Sequence, residues 1–261
     1  MFFLCRSDGV IFNTPQLCDY YKKKFSKFKY QECVVGNGTD TAFFYPQDKQ
    51  FIRQKLGLDV NARILLFLGS MNPWHGVGSL IETFREMQSC SRELDKPLYL
   101  LLVGGHGQTQ FEGYDENTEG FSSMQSSIVI IGSVAPSLAR DYIAASDLCL
   151  LPVHDNRVSP GSPLKLFDYA ACGRPIAAQS GVLGYGDRII ADGLGLEVDF
   201  WNASVAAKEL WAFLEGESLE HYEHQNRVIA EKKYDWNSVI DRWIEFAERV
   251  RDYKRNNTQG F

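Results

Sequence analysis

Ser159-Pro-Gly-Ser-Pro-Leu-Lys-Leu-Phe-Asp-Tyr-Ala-Ala-Cys-Gly-Arg-Pro-Ile176 reads as a helix whose start is built to meet an anion. Ser162 has the chemistry of an N-cap, and Pro163 falls at the first helical position, where its missing N–H costs nothing. The amides of Leu164 and Lys165 then point out of the helix start, at the positive end of its dipole, where a phosphate is favoured. Asp168 follows Leu164 by four residues and Lys165 by three, so it shares their face. That puts a hydrogen-bond acceptor for sugar hydroxyls about one turn from the phosphate position. Gly173 stops the helix and Pro175 keeps it from resuming. An ordinary capped core helix that binds nothing has the same pattern, so the rest of the chain has to decide.

Outward from this stretch, apolar strands alternate with helical periodicity. Strands are expected at residues 8–12, 33–35, 63–69, 98–103, 127–131, 148–153, 175–178 and 196–198. Helices are expected from Thr14-Pro15 through Lys-rich 22–27, over 77–87 and 138–145, after Ser162, and around 203–214, 218–232 and 236–253. Residues 108–126 have no clear period and read as a long loop. The alternation implies βαβ units: an α/β, Rossmann-like parallel sheet with helices on both faces. Gly69, Gly104, Gly132 and the Ser162 helix tip all follow the carboxyl ends of strands, the edge where open α/β sheets bind ligands. That coincidence favours a nucleotide-type ligand. The Gly36-Asn-Gly-Thr-Asp40 cluster, followed by Pro46, marks a strong turn and a candidate domain boundary.

Composition narrows the class further. The chain has 261 residues, 44% hydrophobic and 23% charged, with ample length for a buried core. A net charge of −6 argues against a broad nucleic-acid surface. Six cysteines are scattered without a CxxC pair, and Cys149 and Cys172 sit in apolar runs, as expected of buried free thiols in a reducing compartment. No apolar run is long enough to span a bilayer, so the expected location is cytoplasmic, with peripheral membrane association as an alternative. Three Asn-x-Ser/Thr triplets, at Asn37, Asn202 and Asn256, read as chance matches.

Four ordered blocks carry a family resemblance. Val34-Val-Gly-Asn-Gly-Thr-Asp-Thr-Ala-Phe-Phe-Tyr-Pro46 resembles the hinge signature of GT-B glycosyltransferases of the GT4 type. Phe67-Leu-Gly-Ser70 with Trp74-His-Gly-Val77 is similar to that family's first C-domain loop, and Leu102 to Gly107 to its second. Pro163 to Ile176 resembles its donor-binding helix. The resemblance implies that the chain is the C-terminal half of a GT-B fold and binds a nucleotide sugar such as a UDP- or GDP-sugar, with no cofactor and no metal. It assigns the diphosphate to Gly69, Ser70, His75, Ser162, Leu164 and Lys165, the ribose to Asp168, and the base to Gly132, Ser133 and Val134. Transfer is expected to retain configuration. Residues 1–36 then correspond to a remnant of the N-terminal domain and hinge, 37–235 to the nucleotide-sugar domain, and 236–261 to a helix returning toward the N-terminal domain.

The departures from the family pattern matter as much. Ser70 and His75 stand where the family commonly has Arg and Lys, so two permanent charges are lost, and Lys165 is expected to make up part of them. Asp168 is one methylene shorter than the usual Glu. Pro160 occupies the place of the family's first acid, eight residues before Asp168, leaving Asp155 and Gly161 as candidates for sugar contact. The acceptor site and any acceptor-side catalytic residue belong to the family's N-terminal domain, so catalytic residues are unassigned. Two readings lead, the donor half of an enzyme or a non-catalytic nucleotide-sugar-binding subunit, with a GT-B epimerase acting on a UDP-sugar a less favoured third. Either calls for a separate acceptor domain or for self-association.

Other candidate chemistry is weaker. His154-Asp155 are adjacent and point different ways, with no nucleophile in view. His221 and His224 share a helical face but have no third metal ligand. His106 sits in a Gly loop, and Trp74 reads as a packing residue. On the last helix, Val239, Trp243, Phe246 and Val250 form one apolar stripe, part of it expected to be exposed.

Overall fold

The structure is a computed structural model, and it describes residues 6–26, 29–90, 96–105, 127–153, 163–216 and 219–258. The expected loop at 108–126 lies outside them. The chain opens with β1 (Gly9–Phe12), α1 (Pro15–Lys24) and β2 (Gln31–Val34). Thr14 caps α1 by accepting the Leu17 amide at 3.1 Å, and Pro15 follows at its first turn. β1 and β2 pair in parallel as a sheet of their own.

The main sheet comprises β3 (Arg63–Leu68), β4 (Leu98–Val103), β5 (Ile128–Ile131), β6 (Leu148–Leu151), β7 (Ile176–Gln179) and β8 (Gly195–Val198). Every pairing is parallel, in the order β5-β4-β3-β6-β7-β8. The chain winds outward from β3 in one direction and from β6 in the other. The crevice between the carboxyl ends of β3 and β6 is therefore the topological switch point of a doubly wound sheet.

Alternation along each strand explains why helices cover both faces. Ile64 and Leu66 of β3 face one core with Leu101, Val103, Cys149, Leu151, Ile176 and Ala178. Leu65 and Phe67 face the other, with Leu100, Leu102, Leu148, Leu150 and Ala177. α3 (Val77–Cys90) and α7 (Ala203–Glu215) pack on the second core. The first is covered by α2 (Lys49–Lys55), α4 (Pro136–Ala145), α5 (Leu164–Ala171), α6 (Gly186–Asp192) and the π-turn Ala230–Tyr234 that follows α8 (Leu219–Ile229). Cys149 and Cys172 are buried free thiols, as expected. Burial pushes the Cys149 thiol up to about 12, which makes it inert. Among the described residues no helix is long and apolar enough to cross a membrane.

α9 (Trp236–Thr258) runs back to the small sheet, where Val250 and Phe246 close over Gly9. Part of the expected stripe is exposed, as anticipated. Val239 and Phe246 are buried, while Trp236, Ile240, Trp243 and Ile244 are exposed. At the foot of α9 two segments cross. Thr39 forms an isolated parallel bridge with Asp235, and its amide donates to the Tyr234 carbonyl at 2.8 Å. A Cβ on Gly38 would lie 2.7 Å from that same carbonyl, so only glycine permits the approach.

α2 and α6 were not anticipated from sequence. α2 has seven mostly polar residues, too few to show a helical period. It is held by Asp48, whose carboxylate accepts the Phe51 amide, and by Arg53. Arg53 is buried. Its guanidinium donates to the carbonyls of Ala145, Val60 and Ala62 and to Asp147 at 2.8 Å, while Asp147 also accepts the Ile64 amide and pairs with Lys49. Burial works against ionisation of Asp147, but Lys49, Arg53 and the Ile64 amide outweigh it and hold the carboxyl below its ordinary range.

Removing Arg53 takes the buried partner from Asp147, leaving it only the partly exposed Lys49 and the Ile64 amide, and strips three carbonyls of their donor. Arg53→Ala is expected to lower unfolding free energy by about 3–5 kcal/mol, measured by equilibrium urea denaturation at pH 7. A depressed carboxylate stabilises the fold above its unfolded value of about 3.9, and that contribution is lost as pH falls through the lower native value. The gap between wild type and Asp147→Asn should therefore narrow only in that acid window.

Candidate functional site

Four loops meet along the carboxyl edge of the sheet. Gly69 follows β3, Gly104 follows β4, Gly132 follows β5, and α5 begins after β6. The loops touch through backbone. A Cβ on Gly104 (φ +148°) would overlap the Gly69 carbonyl, and one on Gly76 (φ +65°) would overlap the Pro152 carbonyl. The Gly69 amide donates to Val103 at 2.7 Å and the Gly104 amide to Ile131 at 2.9 Å, which continues the strand ladder one residue past each strand. Glycine is required at these points because the next backbone leaves no room for a side chain.

α5 enters this edge tip first. Pro163, not Ser162, is the N-cap residue: it keeps extended backbone and makes no side-chain cap, and helical geometry begins at Leu164. The expected assignment is corrected by one position. Because proline fixes its own φ and cannot donate, it serves as the residue before the helix as readily as the first within it. Leu164 and Lys165 thus hold the first two helical positions, where amides have no intrahelical acceptor. Leu164 leaves its side chain exposed, so it offers the edge only its backbone.

Lys165 turns inward. Its ammonium lies over the Phe67 ring, 4.6 Å from the centroid, and a Cβ on Gly69 would collide with it. Among the described residues no carboxylate pairs with Lys165, and burial pulls its amine down to about 8. Asp168, one turn further in, is also largely buried. Desolvation pushes its carboxyl up to about 6, opposed by the Thr39 hydroxyl, which donates to Oδ1 at 2.6 Å. Next to it, the Tyr169 hydroxyl accepts the Leu68 amide at 3.0 Å and ties α5 to the end of β3.

The remaining expected residues spread along the same edge. Ser70 and His75 close one small loop, in which His75 Nδ1 donates to the Ser70 carbonyl at 2.5 Å and lies 3.3 Å from its hydroxyl. A Cβ on Gly105 would come within 2.7 Å of Ser133 Oγ, so the loop carrying Gly132, Ser133 and Val134 adjoins the β4 loop. The edge therefore runs from Gly132–Val134 past Gly104 and Gly69 to the tip of α5. Trp74 is exposed, not packed as expected, with its ring 5.9 Å from that of His75. His221 and His224 are exposed on α8. Ser162, Asp155, Gly161, His154, His106 and Gly107 lie outside the described residues.

Sequence reasoning missed Thr39 as a partner of Asp168 and Phe67 as the seat of Lys165. Thr39 is 129 residues from Asp168 along the chain, and only the fold joins them. Phe67 showed only that it alternates to one face of a strand.

Comparison with known proteins agrees with this architecture. The family model described as "Glycosyl transferases group 1" matches residues 62–212, more than half of the chain. D-inositol 3-phosphate glycosyltransferase of Rhodococcus jostii (strain RHA1) is 26% identical over 252 residues, covering 93% of this chain and 52% of the relative. The chain thus spans about half the length of that curated relative. Among solved structures, sucrose-phosphate synthase from Thermosynechococcus elongatus superposes with a TM-score of 0.70 at 19% identity, over 96% of this chain and 60% of that one. Anabaena Alr3699/HepE in complex with UDP and glucose superposes with a TM-score of 0.66 at 17% identity, over 92% and 63%. At these identities the structural likeness speaks for the fold alone, the Rossmann-like half of a GT-B fold. With its sheet, its loops and more than half its length in agreement, the chain belongs to the glycosyl transferases group 1 family.

Proposed function

We propose that this chain binds the nucleoside-diphosphate sugar in a glycosyl transfer reaction, with the diphosphate seated at the tip of α5. One observation carries the reading: Lys165 is a largely buried cation without a carboxylate partner among the described residues, beside helix-start amides that have no intrahelical acceptor, at the switch point of the sheet. Such a charge is costly to leave alone and is offset by an anionic ligand. Leu164 and Lys165 bind the diphosphate through their amides, and the Lys165 ammonium supplies part of the charge that Ser70 and His75 do not. Gly69 lets the ligand approach the backbone. Asp168 accepts from ribose hydroxyls, and the Gly132–Val134 loop meets the base. The Anabaena protein, which shares this fold, was solved in complex with UDP and glucose, and that supports a nucleotide ligand here.

In this reading the helix tip and Lys165 stabilise charge developing on the departing diphosphate, and transfer proceeds with retention and without a metal. The division into residues 1–36, 37–235 and 236–261 belongs to the same proposal, as does a cytoplasmic location. The acceptor site is assigned to another domain or subunit. A reaction in a cleft between two domains needs both walls to hold its reactants together.

Nucleotide binding is tested by titrating the protein with UDP and GDP while mapping amide shifts by NMR. The expected shifts centre on Gly69, Leu164, Lys165 and Gly132–Val134; shifts confined to the opposite sheet edge would overturn the assignment. Asp168→Ala should weaken binding by about 1–3 kcal/mol in calorimetry, the range for hydrogen bonds to a charged group.

Affinity should also fall as pH rises through about 8, because Lys165 then loses its proton. Lys165→Met should abolish that alkaline limb in a pH series of the same titrations.

A further expectation concerns stability. A carboxyl whose native pKa is raised to about 6 favours the fold while protonated and costs it free energy once ionised. Asp168→Asn should therefore be more stable than wild type at pH 8, by on the order of 1–3 kcal/mol, with the gain vanishing below about pH 4. Denaturant midpoints across this pH range measure it; a loss of stability at pH 8 would make Asp168 a structural residue.

A further inference from the structure

The Thr39 hydroxyl that donates to Asp168 sits on an unusually constrained backbone. Its amide donates to the Tyr234 carbonyl at 2.8 Å, and its own carbonyl accepts the Trp236 amide at 3.2 Å. Just before it, Gly38 allows the two chains to meet. Just after it, the Thr41 hydroxyl donates to the Asp235 carboxylate, which also accepts the Asn237 amide at 2.9 Å. The Thr39 side chain is buried, and its branched Cβ restricts rotation about χ1. α5 touches the crossing a second time, where the Phe167 ring stacks edge-on against Tyr234 with centroids 4.9 Å apart. The crossing of residues 38–41 over 234–236 therefore grips α5 at two successive residues, Phe167 and Asp168.

We propose that Thr39 is a positioning residue for nucleotide binding: from its fixed place at this crossing it holds one oxygen of the Asp168 carboxylate and leaves the other for the ligand's hydroxyls. The proposal rests on the reading that Asp168 meets the ribose. A short carboxylate side chain reaches less far than a longer one and gains more from being oriented before the ligand arrives. Among the described residues, the ionisable groups that the Asp168 charge acts on are Tyr169 on its own helix and Cys172 at that helix's C-cap, both kept neutral by burial. Among the described residues Thr39, from the crossing, is the one side chain that favours the charged form. Thr39 would then orient the carboxylate and help keep it ionised near neutral pH. It would also link the crossing to the ligand site, because any displacement of residues 38–41 moves the hydroxyl.

The test compares Thr39→Val, which keeps shape and removes the hydroxyl, with Thr39→Ser, which restores it. The full chain is used, and thermal melts verify that each variant is folded. In protein without ligand, a 13C-carboxyl NMR titration, assigned with Asp168→Asn, should show the Asp168 midpoint moving upward from about 6 in Thr39→Val and returning in Thr39→Ser. UDP affinity by calorimetry should fall about three- to tenfold in Thr39→Val and recover in Thr39→Ser. On an Asp168→Asn background, Thr39→Val should add little further loss. If Asp168→Ala weakens UDP binding but Thr39→Val leaves both affinity and carboxyl midpoint unchanged, Thr39 has no positioning role and the site reading stands. If neither variant alters UDP affinity, the ribose reading of Asp168 fails and takes this proposal with it, whatever the carboxyl midpoint does.

Discussion

No side chain fits at Gly104, because a Cβ there would occupy the space of the Gly69 carbonyl oxygen. The whole ligand edge depends on this kind of contact. At Gly69 a side chain would displace the Lys165 ammonium from its seat on Phe67, and at Gly76 it would push the β3 loop off Pro152. The doubly wound order of strands opens a crevice at β3 and β6, and it is backbone packed against backbone that brings the loops together there. Larger residues at these points would spread the loops, and the tip of α5 would then face open solvent.

The fold was readable because its signals are local. The four central strands of the main sheet are short apolar runs largely buried on both faces, and the helices from Val77 and Ala203 carry a clear period. α2 escaped notice for the opposite reason: its seven residues look polar, and their stability comes from Arg53 reaching Asp147 across 94 positions of sequence. The site divides in the same way. Leu164, Lys165 and Asp168 announce themselves through helix-start spacing, whereas their partners Phe67 and Thr39 are set by tertiary contacts that no periodicity encodes. The one-residue shift at Pro163 shows how proline blurs the boundary between a cap and a first turn.

Lys165 and Asp168 are two largely desolvated groups of opposite charge, yet each relies on something other than the other. Lys165 has an aromatic face, and Asp168 has a hydroxyl. A direct ion pair would satisfy both and leave nothing for a ligand. Holding them apart leaves the chain with charge that burial disfavours, a cost to stability at the site proposed for the diphosphate and ribose. The Arg53–Asp147 network is the contrast. There the same kinds of group are fully mutual and serve only to fasten α2 to the sheet.

The return of α9 to the first strand has a kinetic side. Lys254 pairs with Asp8 at 2.8 Å, and Phe246 and Val250 cover Gly9, so the small β1–β2 sheet is completed by residues almost the whole chain away. Closing so long a loop carries a large entropic cost before any contact repays it. The main sheet joins successive strands except at the central β3–β6 pair, where the chain returns from β5. The docking of α9 on the small sheet is thus a distinctly non-local contact, although β1 and β2 themselves pair across the short α1 connection.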